Sequence, residues 1–358
     1  MMQKSSVLCS LLGIQFPVIQ AGMAGGPAGS ELAAAVSKAG GLGTLGAAYM
    51  SGEAIREAVK LIREKTDRPF AVNLFTADMK DDFSRIHEVK EVLAPIAESI
   101  GAEAGFEGLK TKDMFLEQFQ AVMEENVPII STAFGLLPEE HMAEAKNQNR
   151  KIIAMATTVE EAISAERSGA DAVVAQGSDA GGHRGTFDMN KHPQGANIGT
   201  FSLVPQMADA LAIPVIAAGG VMDGRGLAAS LMLGASGVQL GTRFLACAES
   251  GAHPAYQEML TQSNEASTVL TSAFSGRPAR GISNQFISSF ELSGVPPLPF
   301  PSQNTATGKI RKAAAEQNNP AFMSLWAGQG LRMMKYGETA EDILLKVMKE
   351  AEDSLASF

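Results

Sequence analysis

The strongest constraint on this chain is a rhythm. From residue 17 onward, short β-branched apolar runs alternate with longer amphipathic stretches. A short apolar run bounded by Gly and Pro reads as a buried strand, and strands that alternate with helices build a parallel sheet. Residues 17–20, 41–46, 69–74, 127–131, 151–156, 171–176, 214–217 and 237–240 read as eight such strands, with helices at 29–38, 51–65 and 158–168 among the connections. A sheet buried on both faces has near-continuous apolar strands like these, and eight of them predict a (β/α)8 TIM barrel. An open doubly wound sheet is the alternative the pattern allows.

The rhythm breaks twice. Residues 77–126 are about two helices long, which predicts an extra helix over the barrel mouth. Residues 272–308 carry Pro296, Pro297, Pro299 and Pro301 with Gly276, Gly281 and Gly294, a composition that suits neither a barrel strand nor a long helix. The expected organisation is therefore a barrel over 1–271 with a helical insertion near 77–126, a lid or cap over 272–308, and C-terminal helices over 309–358 that return to the barrel. A chain of 358 residues with 45% hydrophobic and 19% charged content is long enough for one barrel and an appended piece.

Charge and aromatic content exclude several partners. Lys and Arg number 29 against 39 Asp and Glu, and the net charge of -10 opposes attraction to nucleic acid or anionic lipid. One Trp and three Tyr supply little for base stacking. Neither a nucleic-acid nor a membrane partner is expected, and no apolar run reaches the roughly 18 residues of a membrane span. Lys4 and the apolar stretch 7–12 have the outline of a signal peptide, but the stretch is short and no small-residue cleavage site precedes Pro17. A short helix or turn leading into the first strand is expected instead. Cys9 and Cys247 are too few for a disulfide scaffold or a cysteine metal cluster and fit a reducing, cytoplasmic setting. A homodimer is compatible with the sequence and not dictated by it.

In a barrel of this kind the active site lies at the carboxyl ends of the strands, and phosphate commonly sits at the loops after strands seven and eight. Gly219-Gly220 ends the seventh strand and Gly241-Thr242 the eighth, where unobstructed backbone N–H groups can bind a dianion. Either turn alone would signify only a tight βα connection; both together point to a phosphate. The densest signal, Gln176-Gly177-Ser178-Asp179-Ala180-Gly181-Gly182-His183-Arg184-Gly185, follows strand six directly. Gly181 and Gly182 let the backbone approach a planar ligand, and His183 is a titratable group whose ordinary pKa of about 6.5 suits proton transfer. His87, His141, His192 and His253 read as structural or surface residues. Asn73 and Gln176, at strand ends, can donate and accept hydrogen bonds at the edge of a heteroaromatic ring. Gly22 and Met23 after strand one place a small surface and a thioether beside a flat ring. No dinucleotide fingerprint, P-loop, H-E-x-x-H metal motif or G-x-S-x-G elbow is present, so no metal and no serine nucleophile are expected.

Together, residues 20–26, 176–185, 214–220 and 237–244 resemble the nitronate monooxygenases, formerly called 2-nitropropane dioxygenases, and A-G-G-H-R-G at 180–185 is the most specific part of the match. The resemblance implies noncovalently bound FMN and the oxidation of alkyl nitronates, typified by propionate 3-nitronate, by molecular oxygen with release of nitrite. It places the catalytic role on His183. It carries contacts to FMN onto Gly22, Met23, Asn73, Gln176, Gly181, Gly219, Gly220, Gln239, Leu240, Gly241 and Thr242. Residues 327–330 look like a family motif that comes back to the flavin, which adds Gln329. Asp179 stands where the family more often has Glu, and Tyr49, Tyr256 and Tyr336 are fewer than the tyrosines that line the pocket of some relatives. The barrel and the A-G-G-H loop also resemble the flavin-dependent enoyl-acyl-carrier-protein reductases, which take hydride from NAD(P)H; His183-Arg184-Gly185 favours the monooxygenase. A non-redox barrel enzyme acting on a phosphorylated substrate and a flavin-binding protein without turnover are the remaining readings.

Overall fold

The structure, a computed structural model, describes residues 7–103 and 105–357. Its strands in chain order are β1 (Val18–Gln20), β2 (Gly43–Gly46), β3 (Phe70–Phe75), β4 (Ile129–Ala133), β5 (Lys151–Ala156), β6 (Ala172–Gln176), β7 (Gly182–His183), β8 (Val215–Ala218), β9 (Gly237–Leu240), β10 (Thr268–Thr271) and β11 (Ala279–Ile282). Eight of them form one parallel sheet in the order β1-β9-β8-β6-β5-β4-β3-β2. The predicted seventh and eighth barrel strands are thus β8 and β9. The sheet's two ends meet through a parallel bridge between Ile19 and Leu42. Leu42 N–H donates to Val18 O at 3.0 Å and Gln20 N–H to Leu42 O at 2.9 Å. The chain is a (β/α)8 barrel, as its rhythm predicted.

The seam between β1 and β2 has an additional rung. Gln20 is fully buried, and its Oε1 accepts from Thr44 N–H at 2.9 Å while its Nε2 donates to Thr44 O at 3.1 Å. A side-chain amide therefore pairs with Thr44 as a neighbouring strand would, where the two short strands cannot. The fourth strand begins two residues later than its apolar run suggests. Pro128 has no N–H to give to a ladder, and the N–H of Val127 is spent on Val122 O at the end of the preceding helix.

The outer layer includes α2 (Ser30–Lys38), α3 (Gly52–Lys65), α5 (Phe115–Glu124), α6 (Glu139–Asn147), α7 (Val159–Ser168), α8 (Thr200–Ala210), α9 (Gly224–Met232) and α15 (Ala340–Ala356). The C-terminal helix α15 packs against both α9 and α2 and so completes the ring. The segment read as a lead-in is α1 (Val7–Leu12), while Lys4 lies outside the described residues. Leu8, Cys9 and Leu12 of α1 share an apolar cluster with Ile19, Ile129, Ile153, Val174 and Ile216 of the barrel interior and close its amino-terminal end.

The insertion contains two helices, α5 and α4 (Ile86–Ser99). Only α5 joins the ring. α4 instead belongs to a second apolar core with α11 (Pro254–Gln262), α12 (Gln285–Leu292) and α14 (Gly308–Glu316), where Val89 and Leu93 meet Phe274, Phe286, Phe290 and Ile310. Residues 272–308 hold β11, α12 and α13 (Ser302–Ala306). β10 and β11 pair antiparallel, and β11 pairs with β7, so the boundary expected at residue 272 falls inside a hairpin. Among the described residues no helix is long and apolar enough to cross a membrane.

Gln20→Leu keeps the buried volume but leaves the N–H and C=O of Thr44 without their side-chain partners. The expected loss is about 2–6 kcal/mol, since each of the two buried polar groups left unmade costs roughly 1–3 kcal/mol. It is read as a lower urea midpoint at unchanged slope. An unchanged midpoint would show that the rung contributes nothing to closure.

Candidate active site

The carboxyl ends of the barrel strands open into a cavity of about 740 Å³. Register brings polar groups from separate strands to its floor. Asn73 pairs with Ser131, Gln176 with Ala218, and Ala218 with Gln239 across successive strands. Asn73 Nδ2 donates to Ser131 Oγ at 2.9 Å, which fixes the amide and leaves Oδ1 available to the cavity.

At one side of the cavity lie the two glycine turns. Gly219 and Gly220 have φ of +114° and +75°, a left-handed conformation that favours glycine. A Cβ on Gly219 would lie 2.7 Å from Thr200 Oγ1. Among the described residues no hydrogen bond takes the backbone N–H of Gly220 or Gly241, and Thr242, opening the short helix α10 (Thr242–Leu245), has no intrahelical acceptor for its own. Asp179 beside this turn accepts from Thr200 N–H at 2.9 Å and Thr200 Oγ1 at 2.7 Å. Burial opposes its ionisation, but those hydrogen bonds outweigh burial and hold the carboxyl below its ordinary range.

The His183 loop is held from behind. Gln176 lines the cavity, yet its Oε1 accepts from Gly185 N–H at 2.7 Å and its Nε2 donates to His183 O at 2.9 Å. The amide expected at a ring edge therefore works mainly as a strut of the loop. Arg184 is fully buried, donating to Gly177 O at 2.7 Å, to Gln176 O at 2.6 Å and to Ala196 O at 3.1 Å. Burial and nearby Arg280 lower its pKa to about 10, which leaves it a cation at neutral pH. Gly181 packs so closely that a Cβ would lie 2.4 Å from the carbonyl carbon of Ala327, and Gly182 has φ +74°.

The ring of His183 faces the cavity with Nε2 2.8 Å from Ser275 Oγ, and Ser275 Oγ lies 3.1 Å from Arg277 O. With the serine proton given to that carbonyl, which can only accept, the serine oxygen is left to accept from the ring. Nε2–H then donates to Ser275, and the lone pair is left on Nδ1. Trp326 and Phe134 crowd the ring at centroid distances of 5.3 and 5.6 Å, and the guanidinium of Arg277 lies 4.1 Å above the Phe134 ring. Burial first, and then the charges of Arg277 and Arg311, push the pKa of His183 down to about 3. At neutral pH it is an uncharged base.

Gly22, Met23, Asn73, Gln176, Gly181, Gly182, His183, Gly219, Gly220, Gln239, Gly241 and Thr242 all line this one cavity. Two expected residues do not. Leu240 is fully buried in the barrel wall, and the side chain of Gln329 is exposed on the surface. The segment around Gln329 does come back to the site, but through its backbone: Gly328 N–H donates to Thr242 Oγ1 at 2.9 Å and Gln329 N–H to Asp179 O at 3.0 Å. Sequence reasoning missed Ser275, Phe134, Arg311 and Trp326. None stands in a glycine-rich motif at a strand end, and only Trp326, the single tryptophan beside the 327–330 motif, carried any signal.

These features define a barrel with unclaimed backbone N–H groups at two glycine turns and an uncharged, partly buried histidine in one cavity, and comparison with known proteins gives that class a family. The nitronate monooxygenase family model matches residues 5–350. The chain is 42% identical over 353 residues to a probable nitronate monooxygenase of Staphylococcus saprophyticus, covering 98% of this chain and 99% of that one. The solved structure of a nitroalkane oxidase from Streptomyces ansochromogenes superposes with a TM-score of 0.91 at 38% identity, covering 98% of this chain and 99% of that chain. FabK from Thermotoga maritima superposes with a TM-score of 0.78 at 30% identity, covering 98% and 97%. The chain belongs to the nitronate monooxygenase family.

The lowered pKa of His183 has a signature in stability. The unfolded chain protonates this histidine near its ordinary pKa of about 6.5, whereas the folded chain does so only near 3. Above about pH 7 the group is neutral in both states; as pH falls from 6.5 towards 3 the unfolded state gains protons and folding loses stability. The stability advantage of the wild type over His183→Asn, measured by urea unfolding of the ligand-free proteins, is expected to shrink between pH 7 and pH 5. Its slope can reach at most about 1.4 kcal/mol per pH unit. A difference independent of pH would overturn the assignment of a neutral imidazole.

Proposed function

We propose that the protein binds FMN without a covalent bond and oxidises alkyl nitronates of the propionate 3-nitronate type with molecular oxygen, releasing nitrite. The observation that carries this reading is the shared cavity: unclaimed N–H groups at two glycine turns on one side, an uncharged histidine base on the other. The cradle suits the phosphate of a flavin mononucleotide. Gly22, Met23 and Gly181 offer low surfaces to a flat ring, and Asn73 Oδ1 and the Gln239 amide, which has no hydrogen-bond partner among the described residues, suit its polar edge. When bound, FMN supplies the electron transfer to oxygen that no side chain here can perform.

The chain's own residues bind, orient and move a proton. His183 Nδ1, with Nε2–H committed to Ser275, takes the α-proton of a neutral nitroalkane and yields the nitronate. Being uncharged, it gives an anionic substrate no countercharge. Trp326 and Phe134 keep bulk water from the imidazole. The region 272–308 acts as a cap in this reading, since it supplies Ser275 to the histidine and Asn304 to the cavity wall.

The test is oxygen uptake and nitrite release by the FMN-loaded protein with propionate 3-nitronate. In His183→Asn, turnover of the neutral nitroalkane should fall about 100-fold, the usual scale of a general base, while FMN stays bound. Undiminished turnover would remove His183 from proton transfer. NADH consumption with an enoyl thioester would favour the reductase, and a colourless protein that takes up no FMN would favour a non-redox barrel.

A further inference from the structure

We propose that a second, smaller cavity, separated from the barrel mouth by Met222, is a binding site for a tetrahedral oxyanion of the phosphate class. It is distinct from the two glycine turns and independent of the reaction proposed above.

This cavity, of about 220 Å³, lies between α10, α15 and residues 333–335. Met222 is the one residue that lines both cavities. It is buried, and it packs so closely on Gly330 that a Cβ there would lie 2.4 Å from Met222 Cγ. Thr242 faces the large cavity and Arg243, the next residue, lines the small one, so α10 presents its two sides to different spaces.

Four cations line the small cavity: Arg225, Arg243, Lys335 and Lys346. In a chain of net charge -10 such a gathering is conspicuous, and like charges brought together repel. Three carboxylates face them, and each is already engaged. Asp223 caps α9, accepting from the N–H groups of Arg225 and Gly226 and from the Arg225 guanidinium. Glu350 Oε2 accepts from Gly224 N–H at 3.1 Å. Glu338 accepts from Arg243 Nη2, and its other oxygen lies 3.6 Å from Lys346 Nζ. Among the described residues no carboxylate is within ion-pair distance of Lys335; the Lys346 ammonium sits beside it and lowers its pKa.

Arg243 gives the independent sign of a missing ligand. Its side chain is only 4% exposed, and its Nη1 is buried with no hydrogen-bond partner among the described residues. A buried charged donor left unmade is costly, and most such groups in folded proteins have a partner. An oxyanion in the cavity supplies the acceptor. Met333 and Lys335 are exposed side chains of its wall and can swing aside to admit one. Donors that converge from three elements suit an anion with oxygens on every side, and two adjacent ammonium groups suit a double negative charge. The volume holds one such group with a few waters and does not enclose a nucleotide.

The test titrates the FMN-loaded protein with inorganic phosphate by calorimetry at constant ionic strength. One saturable site is expected, and in Lys335→Met combined with Lys346→Met it should weaken at least about tenfold, the scale of lost charge-assisted contacts, with FMN affinity unchanged. Glu338→Gln removes the carboxylate that competes with the anion, so phosphate should bind about threefold more tightly, the scale of one partly exposed ion pair. Ribose 5-phosphate distinguishes the sources of the phosphoryl group: binding as tight as that of phosphate assigns a phosphomonoester, binding of phosphate alone assigns the free ion, and each upholds the site. No saturable binding up to about 10 mM, or binding undiminished in the double lysine variant, overturns the proposal. If the protein takes up no FMN, the flavin reading fails, and the same titration of the protein as isolated still decides this site, because the lysine variants leave the glycine turns untouched. Should the double variant not fold, Lys335→Met alone, at an exposed position, decides by a loss of about threefold or none.

Discussion

Everything at the mouth of this molecule depends on the closure of a parallel sheet. Hydrogen bonds across the β1–β2 seam are few, because both strands are short, and the sheet meets there through Leu42 and the side chain of Gln20. Closure fixes register, and register puts Asn73, Ser131, Gln176, Ala218 and Gln239 on one floor although they are spread over more than 160 residues of chain. An open sheet would spread the same residues along an edge. The two glycine turns face the histidine loop across one cavity only because β9 returns to pair with β1.

The histidine loop shows how a glycine-rich segment is made rigid. Glycines admit close contacts but supply no side chains to hold them, so the restraint comes from Gln176 beneath and Arg184 behind. Arg184 donates to three backbone carbonyls of the loop and its surroundings, Gln176 O, Gly177 O and Ala196 O. The A-G-G-H-R-G stretch therefore divides its labour. Gly181 and Gly182 allow the approach, His183 faces the cavity, Arg184 braces the turn, and Gly185 closes on Gln176. β7 then ties the loop to β11, so the imidazole is positioned by the barrel and by the region above it at once.

What was legible in the sequence was what local patterning specifies. Apolar runs marked the barrel strands, and glycines at strand ends marked the turns, because both are imposed by neighbours along the chain. Pro128 misplaced the start of β4 by two residues, since apolar character continues through a residue that cannot donate to a ladder. Gln329 stood in a recognisable motif whose backbone, and not its side chain, returns to the site. Ser275 and Arg311 had no local signature at all. A serine after Phe274 and an arginine in a lysine-rich helix look like ordinary residues until the second apolar core brings their segments over the barrel mouth.

The electrostatic consequence is a separation of roles that no one of these residues reveals alone. The same packing of His183 among Trp326 and Phe134 strips its charge, which keeps its lone pair free at neutral pH, lowers its affinity for a proton and makes it a poor partner for an anion. An anion beside it would have raised its pKa; Arg277 and Arg311, being cations, reinforce the loss of the proton. The cavity can therefore hold positive charge and a free base together only by keeping them on different side chains.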